Sequence, residues 1–536
     1  MMDIKIIPWS ETTAFPLLST MMLIPLTVMI VMIFSRSTAT ALRSAAVGTL
    51  LTTILSAYLI AIFDTGQSGI QLYEEIKFAG LSYSVGVDGA NILFIVLTPI
   101  ITLLALIYVL TVRPTSIRLY VACLLGYEVI LLGAFSALNA MQFWIWCFLE
   151  LIPVIVLTRH RGTGQNKRSV ITLLMQYWIS GLLMSLCGFI ILAFGYMNSG
   201  HILTFDWITL TQNNAHLQNT VLIFILLFFG FSVRLPLFPF HGWFPLLLEH
   251  GTVVTIPIFI VGLKLGIYAL IRFIIPIVPE IAEHWNEFIL ILCLISIFYG
   301  ALLALMQINV RRLLAFAIIS HTGVLVIGVF DSNYYGLEGG IMLSIAYGLA
   351  GVGMLLSIGM MYERTRTSFY PRLSRRLNTS IAIAILFVIS ALSTMTMPGT
   401  PTFDAAHILI EGTINKYGWL TAIAILIGNV LTAAILLRAF QQIFFSTSKR
   451  ARQTARQTAR QTFSNEHYST KGEKTIAAVV CSLLIISGLF TPLWAHIVDQ
   501  SILVHALISK RHPIHETQRS DTLTTSTIDV KGSQDE

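Results

Sequence analysis

Charge is what this chain has least of. Only 11% of its 536 residues are Asp, Glu, Lys or Arg, against roughly 25% in soluble domains. The deficit runs along the whole length and is not confined to one anchor. That excludes a string of soluble domains and implies a polytopic membrane protein. Cysteine is also sparse: Cys123, Cys147, Cys187, Cys293 and Cys481 are scattered through apolar segments. No two of them have CxxC or metal-ligand spacing, so they read as small core residues. There is no GxGxxG after a strand, no phosphate-binding loop, no HExxH and no Cys cluster. A nucleotide, haem or iron–sulfur centre held through a recognisable motif is thereby excluded, and any redox step must occur in a partner. The N-terminus lacks a basic stretch and a small-residue cleavage site before its first apolar run, which reads as a retained helix.

What the chain has is apolar length. Hydrophobic residues make up 56% of it and the mean hydropathy is +0.80. A spanning helix needs about 20 such residues. Fourteen runs qualify: 15–34, 42–63, 89–112, 118–137, 139–157, 170–196, 217–240, 252–276, 286–306, 311–331, 337–362, 379–397, 418–446 and 474–496. In a bilayer a helix satisfies its own backbone, so an all-α bundle is expected.

The loops between these runs alternate in charge. One set carries Arg36, Arg43, Arg113, Arg118, Arg159, Arg161, Lys167, Arg168, Arg311, Arg312, Arg364 to Arg376 and Lys449 to Arg460. The other carries Asp64, Glu74, Glu75, Asp206, Glu280, Glu283 and Asp331. The basic set predicts the cytoplasmic face and puts both termini on the opposite one, consistent with an even number of spans. The net charge of +7 therefore reports orientation and carries no nucleic-acid signal. KRARQTARQTARQTF at 449–463 is a low-complexity basic loop suited to an anionic lipid surface. The tail after residue 510 is polar and reads as disordered.

Two runs are punctuated by proline. Pro236, Pro239, Pro245 and Pro257 interrupt the region around 234–251, and Pro398 and Pro401 interrupt 397–412. Each interruption lies near the end of a block of five helices, 118–276 and 286–446. Five is odd, so two such blocks in series have opposite orientations. Corresponding broken helices in inverted halves mark ion paths in transporters. The remaining segments are 1–117 with three helices, the basic loop 447–473, a last helix in 474–509 and the tail 510–536.

Ionisable residues within or bordering the spans are Glu128, Glu150, Arg234, His241, Lys264, Arg272, His321, His407 and Glu411. At a helix centre a charged side chain costs at least about 2.5–3.5 kcal/mol, so such residues are kept where they pair or carry ions. Lys264 lies twelve residues into a 25-residue run, too deep to reach the surface easily. It reads as a proton-exchanging group or as a structural partner of a carboxylate. Arg234 keeps its proton throughout, so it can hold a carboxylate or set the field of its neighbours, with Glu150 as candidate partner. Glu128, inside GYEVILLGAF, must be paired or protonated. His321 is a core histidine or a member of a proton path. His407 and Glu411 share a helix face at i, i+4 beside the second break, as a relay or a local cap. Arg272, at its helix end, is expected to snorkel to the surface.

Several stretches together resemble one family. SYSVGVDGANILFIVLTPIITLLAL (82–106), VRLPLFPFHGWFP (233–245), GLKLGIYALIRF (262–273), NVRRLLAFAIISHTGVLVIG (309–328) and MPGTPTF (397–403) are similar to the antiporter-like proton-translocating subunits of respiratory complex I, most like its NuoM type. The likeness covers roughly residues 80–445. It implies fourteen helices, two inverted five-helix units with broken helices, and half-channels joined by a central polar axis. The family's second Lys falls on Lys264 and its following-helix His on His321. Its broken-helix Lys falls on Arg234, its other central His on Tyr347, its second broken-helix Glu on Ala406 beside His407, and its early Glu on Phe148. Glu150 stands two positions after Phe148, about 200° round a regular helix.

The intramembrane ionisable residues, read with the resemblance, give an expected proton path through Glu128, Glu150, Arg234, His241, Lys264, His321, His407 and Glu411, in a bacterial inner membrane with other membrane subunits as partners. No cofactor is bound directly, and NADH, quinone, flavin or iron–sulfur centres belong to those partners. The departures from the family pattern leave two further readings. One is an energy-coupling subunit for inorganic-carbon uptake with a large soluble zinc-bearing partner. The other is a structural subunit with a closed channel.

Overall fold

A computed structural model describes residues 5–498 apart from 68, 79–80, 164–165, 199, 201, 213–218, 253–255, 371, 374–379 and 446–469. The repeat at 449–463 and the tail after 510 lie outside the described residues. The helices of the bundle are α1 (Leu17–Phe34), α2 (Thr38–Ile62), α3 (Ile92–Val112), α4 (Ile117–Ser136), α5 (Ala140–Leu149), α6 (Leu151–Arg161), α7 (Lys167–Asn198), α8 (Thr220–Arg234), α9 (Trp243–His250), α10 (Ile256–Ala269), α11 (Asn286–Met306), α12 (Val310–Phe330), α13 (Tyr334–Thr365), α14 (Ile381–Thr394), α15 (Pro401–Tyr417), α16 (Trp419–Phe440) and α17 (Lys471–Leu489). Among the described residues, eleven helical segments are long and apolar enough to cross a membrane, with α5 and α6 forming one of them. The apolar helices α8 and α14 are shorter.

From Ile117 the elements follow one plan twice. The first run is α4, α5 with α6, α7, α8 with α9, and α10. The second is α11, α12, α13, α14 with α15, and α16. The third members, α7 and α13, each have 32 residues. The fourth is broken in each run, between Arg234 and Trp243 and between Thr394 and Pro401. The fifth ends in a π turn in each run, Leu270–Ile274 and Gln441–Phe445. Helices α12 and α13 form the centre, 94% buried along their most apolar stretch, whereas α1 and α2 are 33% buried and form the rim.

Proline chemistry explains the breaks. Pro lacks an N–H and its ring crowds the carbonyl four residues back. At Pro236 the helix bond to Ser232 is lost, and the Leu237 N–H takes that carbonyl at 3.3 Å instead. At the second break Gly399 adopts φ +83°, open to glycine at no steric cost, and Pro401 restarts the helix at its first position.

The chain is not purely helical. Ile6–Pro8 (β1) pairs in parallel with Ile70–Phe78 (β2), which pairs antiparallel with Leu81–Val87 (β3). The rule that only helices and closed barrels span a membrane acts inside the hydrocarbon. The strands of this small sheet lie before the first span and between the second and third, outside the apolar runs, where strands are allowed. It also caps the bundle: Glu74 of β2 accepts the N–H groups of Leu18 and Ser19 at 2.8 and 3.0 Å, and the Ser19 hydroxyl. The residue before α1 is Pro16, which supplies no side-chain cap, so a strand residue satisfies the free N–H groups of the helix. Burial holds the Glu74 carboxyl above the usual carboxylate range, against the pull of those three hydrogen bonds.

Arg272 does not snorkel. It sits fully buried in the first π turn, 2.7 Å from Asp88, which follows β3. It donates to the Tyr268 hydroxyl at 3.2 Å and lies over the Trp207 ring at 4.4 Å. A nearby buried carboxylate outcompetes the membrane surface because the fold brings Asp88 within reach of a side chain that would otherwise have to extend away from its packing. Removing one member of a buried pair strands the other charge, at about 3–5 kcal/mol. We expect Asp88→Asn to lower the unfolding free energy of the detergent-solubilised chain by that order, and Asp88→Asn with Arg272→Met to recover over half of it. A single variant as stable as the parent would overturn the assignment.

Candidate functional site

Glu150 is the joint between two helices. Pro153 has no N–H to offer the Leu149 carbonyl, so the helix is interrupted there and α6 starts afresh at Leu151. The inward stripe nevertheless runs on across the joint, since the buried positions Phe143, Cys147, Glu150, Val154 and Leu157 keep helical spacing. Phe148 is 46% exposed and stacks on Trp144, while Glu150 is completely buried. The two-position shift from Phe148 to Glu150 thus still delivers a carboxylate to the interior.

That carboxylate meets Arg234 in a buried ion pair. Arg234 is the last residue of α8, held at the first break. Its guanidinium also donates to the Gly262 carbonyl at 3.3 Å and lies over the Trp178 ring at 5.1 Å. The Tyr127 hydroxyl of α4 donates to the other Glu150 oxygen. A carboxylate in an apolar interior needs this density of donors. Gly262 is required by the approach: a Cβ there would meet both the Tyr127 hydroxyl and the Glu150 carboxylate.

Two residues along α10, Lys264 enters a different space. It lines a narrow cavity, with about 570 Å³ of empty space when the solvent it opens to is counted, together with Leu235, His321, Thr322, Tyr347 and Thr394, among others. Leu235 follows Arg234 at the first break, and Thr394 ends α14 at the second. One cavity therefore touches both breaks, with Lys264 from the first run and His321 from the second on its wall. The His321 ring stacks flat on Tyr347, centroids 4.3 Å apart and planes within 2°. The buried Tyr347 hydroxyl makes no hydrogen bond among the described residues. Gly348 lies beside the Lys264 chain, where a Cβ would meet its Cε at an ordinary 3.8 Å.

The other residues of the expected path do not join this cluster. Glu128 is fully buried but faces the rim, accepting from Thr52 of α2 at 3.0 Å. His241 packs between Phe238 and Tyr299, with centroids at 5.8 and 5.0 Å. His407 and Glu411 lie on the exposed face of α15, and Ala406 takes the inward place. So, among the described residues, the second break places no charge of its own on the cavity wall.

Sequence reasoning missed Tyr127 and Gly262. For Gly262 a signal existed: with Gly266 it forms a small-xxx-small pair, the mark of close helix approach. Tyr127 had none, since its side of α4 is defined only by its neighbours. Missed too was the clasp at the basic-loop face. Arg311 of α12 donates to the Gly251 carbonyl and to Thr163, both at 2.8 Å, and Asn309 donates to Glu249 at 3.1 Å. It ties the end of the first broken helix to the second run.

We expect Gly262→Ala to push apart Tyr127 and Glu150 and to lower the thermal midpoint of the purified chain by several degrees. Gly351→Ala, whose new methyl would meet only Ile260 at an ordinary 3.5 Å, should leave it within one or two degrees. Equal midpoints for the two variants would show that the close approach at Gly262 is not required.

With this geometry in view, comparisons with known proteins are informative. NADH-quinone oxidoreductase subunit M of Rickettsia typhi is 27% identical over 404 residues, 74% of this chain and 80% of that protein. NADH-ubiquinone oxidoreductase chain 4 of Marchantia polymorpha is 26% identical over 438 residues, 81% of this chain and 87% of that one. Among solved structures, a chain of respiratory complex I from Thermus thermophilus with bound NADH superposes with a TM-score of 0.80 at 24% identity, covering 92% of this chain and 99% of its own. A chain of the Mrp complex from Dietzia sp. DQ12-45-1b gives 0.77 at 16% identity, with 92% and 98% covered. These likenesses share the fold of complex I antiporter-like subunits. Residues 137–432, more than half of the chain, match the family described as NADH:quinone oxidoreductase/Mrp antiporter, TM. The chain belongs to that family.

Proposed function

We propose that this chain is a proton-translocating membrane subunit of an NADH–quinone-oxidoreductase-like complex, moving H⁺ through half-channels in two inverted units, 118–276 and 286–446. The observation that carries this reading is the single cavity that holds Lys264 and His321 and reaches both helix breaks. Lys264 is the group that takes and releases the proton, and His321, with Tyr347 stacked on it, receives it on the far side. Arg234 keeps its charge in every state. When Glu150 is ionised, that charge is neutralised. When Glu150 takes a proton, the bare guanidinium repels the Lys264 ammonium and favours transfer toward His321. Proton rather than Na⁺ suits this wall, because an ammonium on it repels a metal cation and supplies no oxygen cage.

In this reading the basic loops face the cytoplasm, the membrane is a bacterial inner membrane, and NADH, quinone, flavin and iron–sulfur chemistry belong to partner subunits. Other membrane subunits are the partners, and the exposed His407 and Glu411 of α15 face them. The curated relatives named as complex I subunits support this assignment. No observation favours inorganic-carbon uptake with a zinc-bearing partner.

The test is reconstitution of the whole assembly in vesicles with a pH-sensitive dye inside. Lys264→Ala and His321→Ala should each reduce proton movement at least tenfold while the variant still co-purifies with its partner subunits. Internal Na⁺, followed in parallel, should not change. Undiminished acidification in the assembled Lys264→Ala variant would sink the proposal.

A further inference from the structure

The Glu150 carboxylate is sealed from the cavity of Lys264 on one side and from the basic-loop face on the other, so a proton needs a route to it. A second cavity, with about 400 Å³ of empty space partly open to solvent, lies among α4, α6, α9 and α10. Its lining includes Thr158, Gly251 and Thr252 toward the basic-loop face. That end is marked by the hydrogen bond from the Thr163 N–H to the His250 carbonyl and by the Arg311 clasp on Gly251. Its inner end is Tyr127, whose hydroxyl donates to Glu150. The remaining inner lining is apolar, with Leu124, Val154, Ile258 and Phe259. Glu150 is not on the cavity wall, and the phenol is the polar group that lies on that wall and also touches the carboxylate.

We propose that Tyr127 is the gate through which protons from the basic-loop face reach Glu150. The step balances without any change in the charge of the tyrosine. A hydrated proton in the cavity forms an O–H bond to the phenol oxygen as the phenol O–H bond toward Glu150 breaks, and the released proton forms an O–H bond on the carboxylate. The cavity water is left neutral and Glu150 becomes a carboxylic acid. In this state Glu150 donates to the phenol oxygen, and once the acid proton has moved on the phenol O–H rotates back to donate to the carboxylate again. Cys147 of α5 and Arg234 of α8 are the other titratable groups that act electrostatically on the phenol, and Arg234 is the one that holds Glu150. Gly262 matters here for a second reason, since any side chain there would displace the phenol from the carboxylate.

The direction of use rests on the proton-translocation reading, but the gate has its own readout. Tyr127→Phe keeps the ring, and so the packing, and removes the hydroxyl. In the assembled complex, a pH jump should change an infrared carboxyl band that is identified by its loss in Glu150→Gln. The gate requires the band to rise at least tenfold more slowly in Tyr127→Phe than in the parent, with the same final amplitude, and proton pumping to slow in parallel. A purely structural tyrosine would alter the amplitude or the assembly and leave the rate alone. An unchanged rate in Tyr127→Phe overturns the gate whether or not the complex pumps. A parent complex that moves no protons, yet shows the tyrosine-dependent rate, would overturn the translocation reading and leave the gate standing.

Discussion

The buried contact between Arg234 and Glu150 is the constraint on which the centre of this molecule depends. A guanidinium cannot discharge itself by losing a proton, so inside an apolar bundle it must be paired. Each local irregularity nearby serves that need. Glu150 lies on the continuous buried stripe of α5 and α6, and Pro236 ends α8 so that Arg234 is released at its tip. Gly262 lets α10 come close, Tyr127 satisfies the second carboxylate oxygen, and Trp178 offers its ring face to the cation. The charge is thereby anchored beside, but not within, the cavity that Lys264 enters.

That placement separates two roles that a lysine at position 234 would combine. Arg234 supplies a fixed field, and Lys264 supplies the exchangeable proton. The field is switched through Glu150, which among the described residues is the carboxylate that touches the guanidinium. The halves are alike in plan and unlike in chemistry. Both have a broken fourth helix and a π turn closing the fifth, yet the inward positions at the second break are Thr394 and Ala406. The second run contributes His321 and Tyr347 from its continuous helices instead.

Much of this was legible from residue order. Apolar runs locate the spans because the bilayer demands length and internal hydrogen bonding, and the prolines of 234–245 and 397–401 locate the breaks because they delete donors. The value of Lys264 and His321 was also legible, since a charge or an imidazole deep in an apolar run needs a reason. The Arg234–Glu150 pair apart, which the structure shows as expected, the expectations that needed a neighbour failed. Arg272 was expected at the surface, and Asp88, 184 positions earlier in the chain, holds it inside. The strands at 70–87 were hidden by a rule that governs only the hydrocarbon region. His407 and Glu411 share a face as their spacing requires, but spacing does not say which way that face looks, and it looks outward.

Periodicity, proline and charge, read along the chain, determined a membrane-spanning helical bundle with two interrupted helices and a short set of ionisable groups too costly to be idle. They act within one segment, over distances that local backbone geometry controls. Tertiary structure decided which of those groups meet. Glu150 finds Arg234, Tyr127 finds Glu150, and Lys264 shares a cavity with His321, while Glu128, His241, His407 and Glu411 go elsewhere. Partners across separate helices are fixed by how the helices pack, and in a low-dielectric interior the nearest opposite charge or donor decides what a buried group can do.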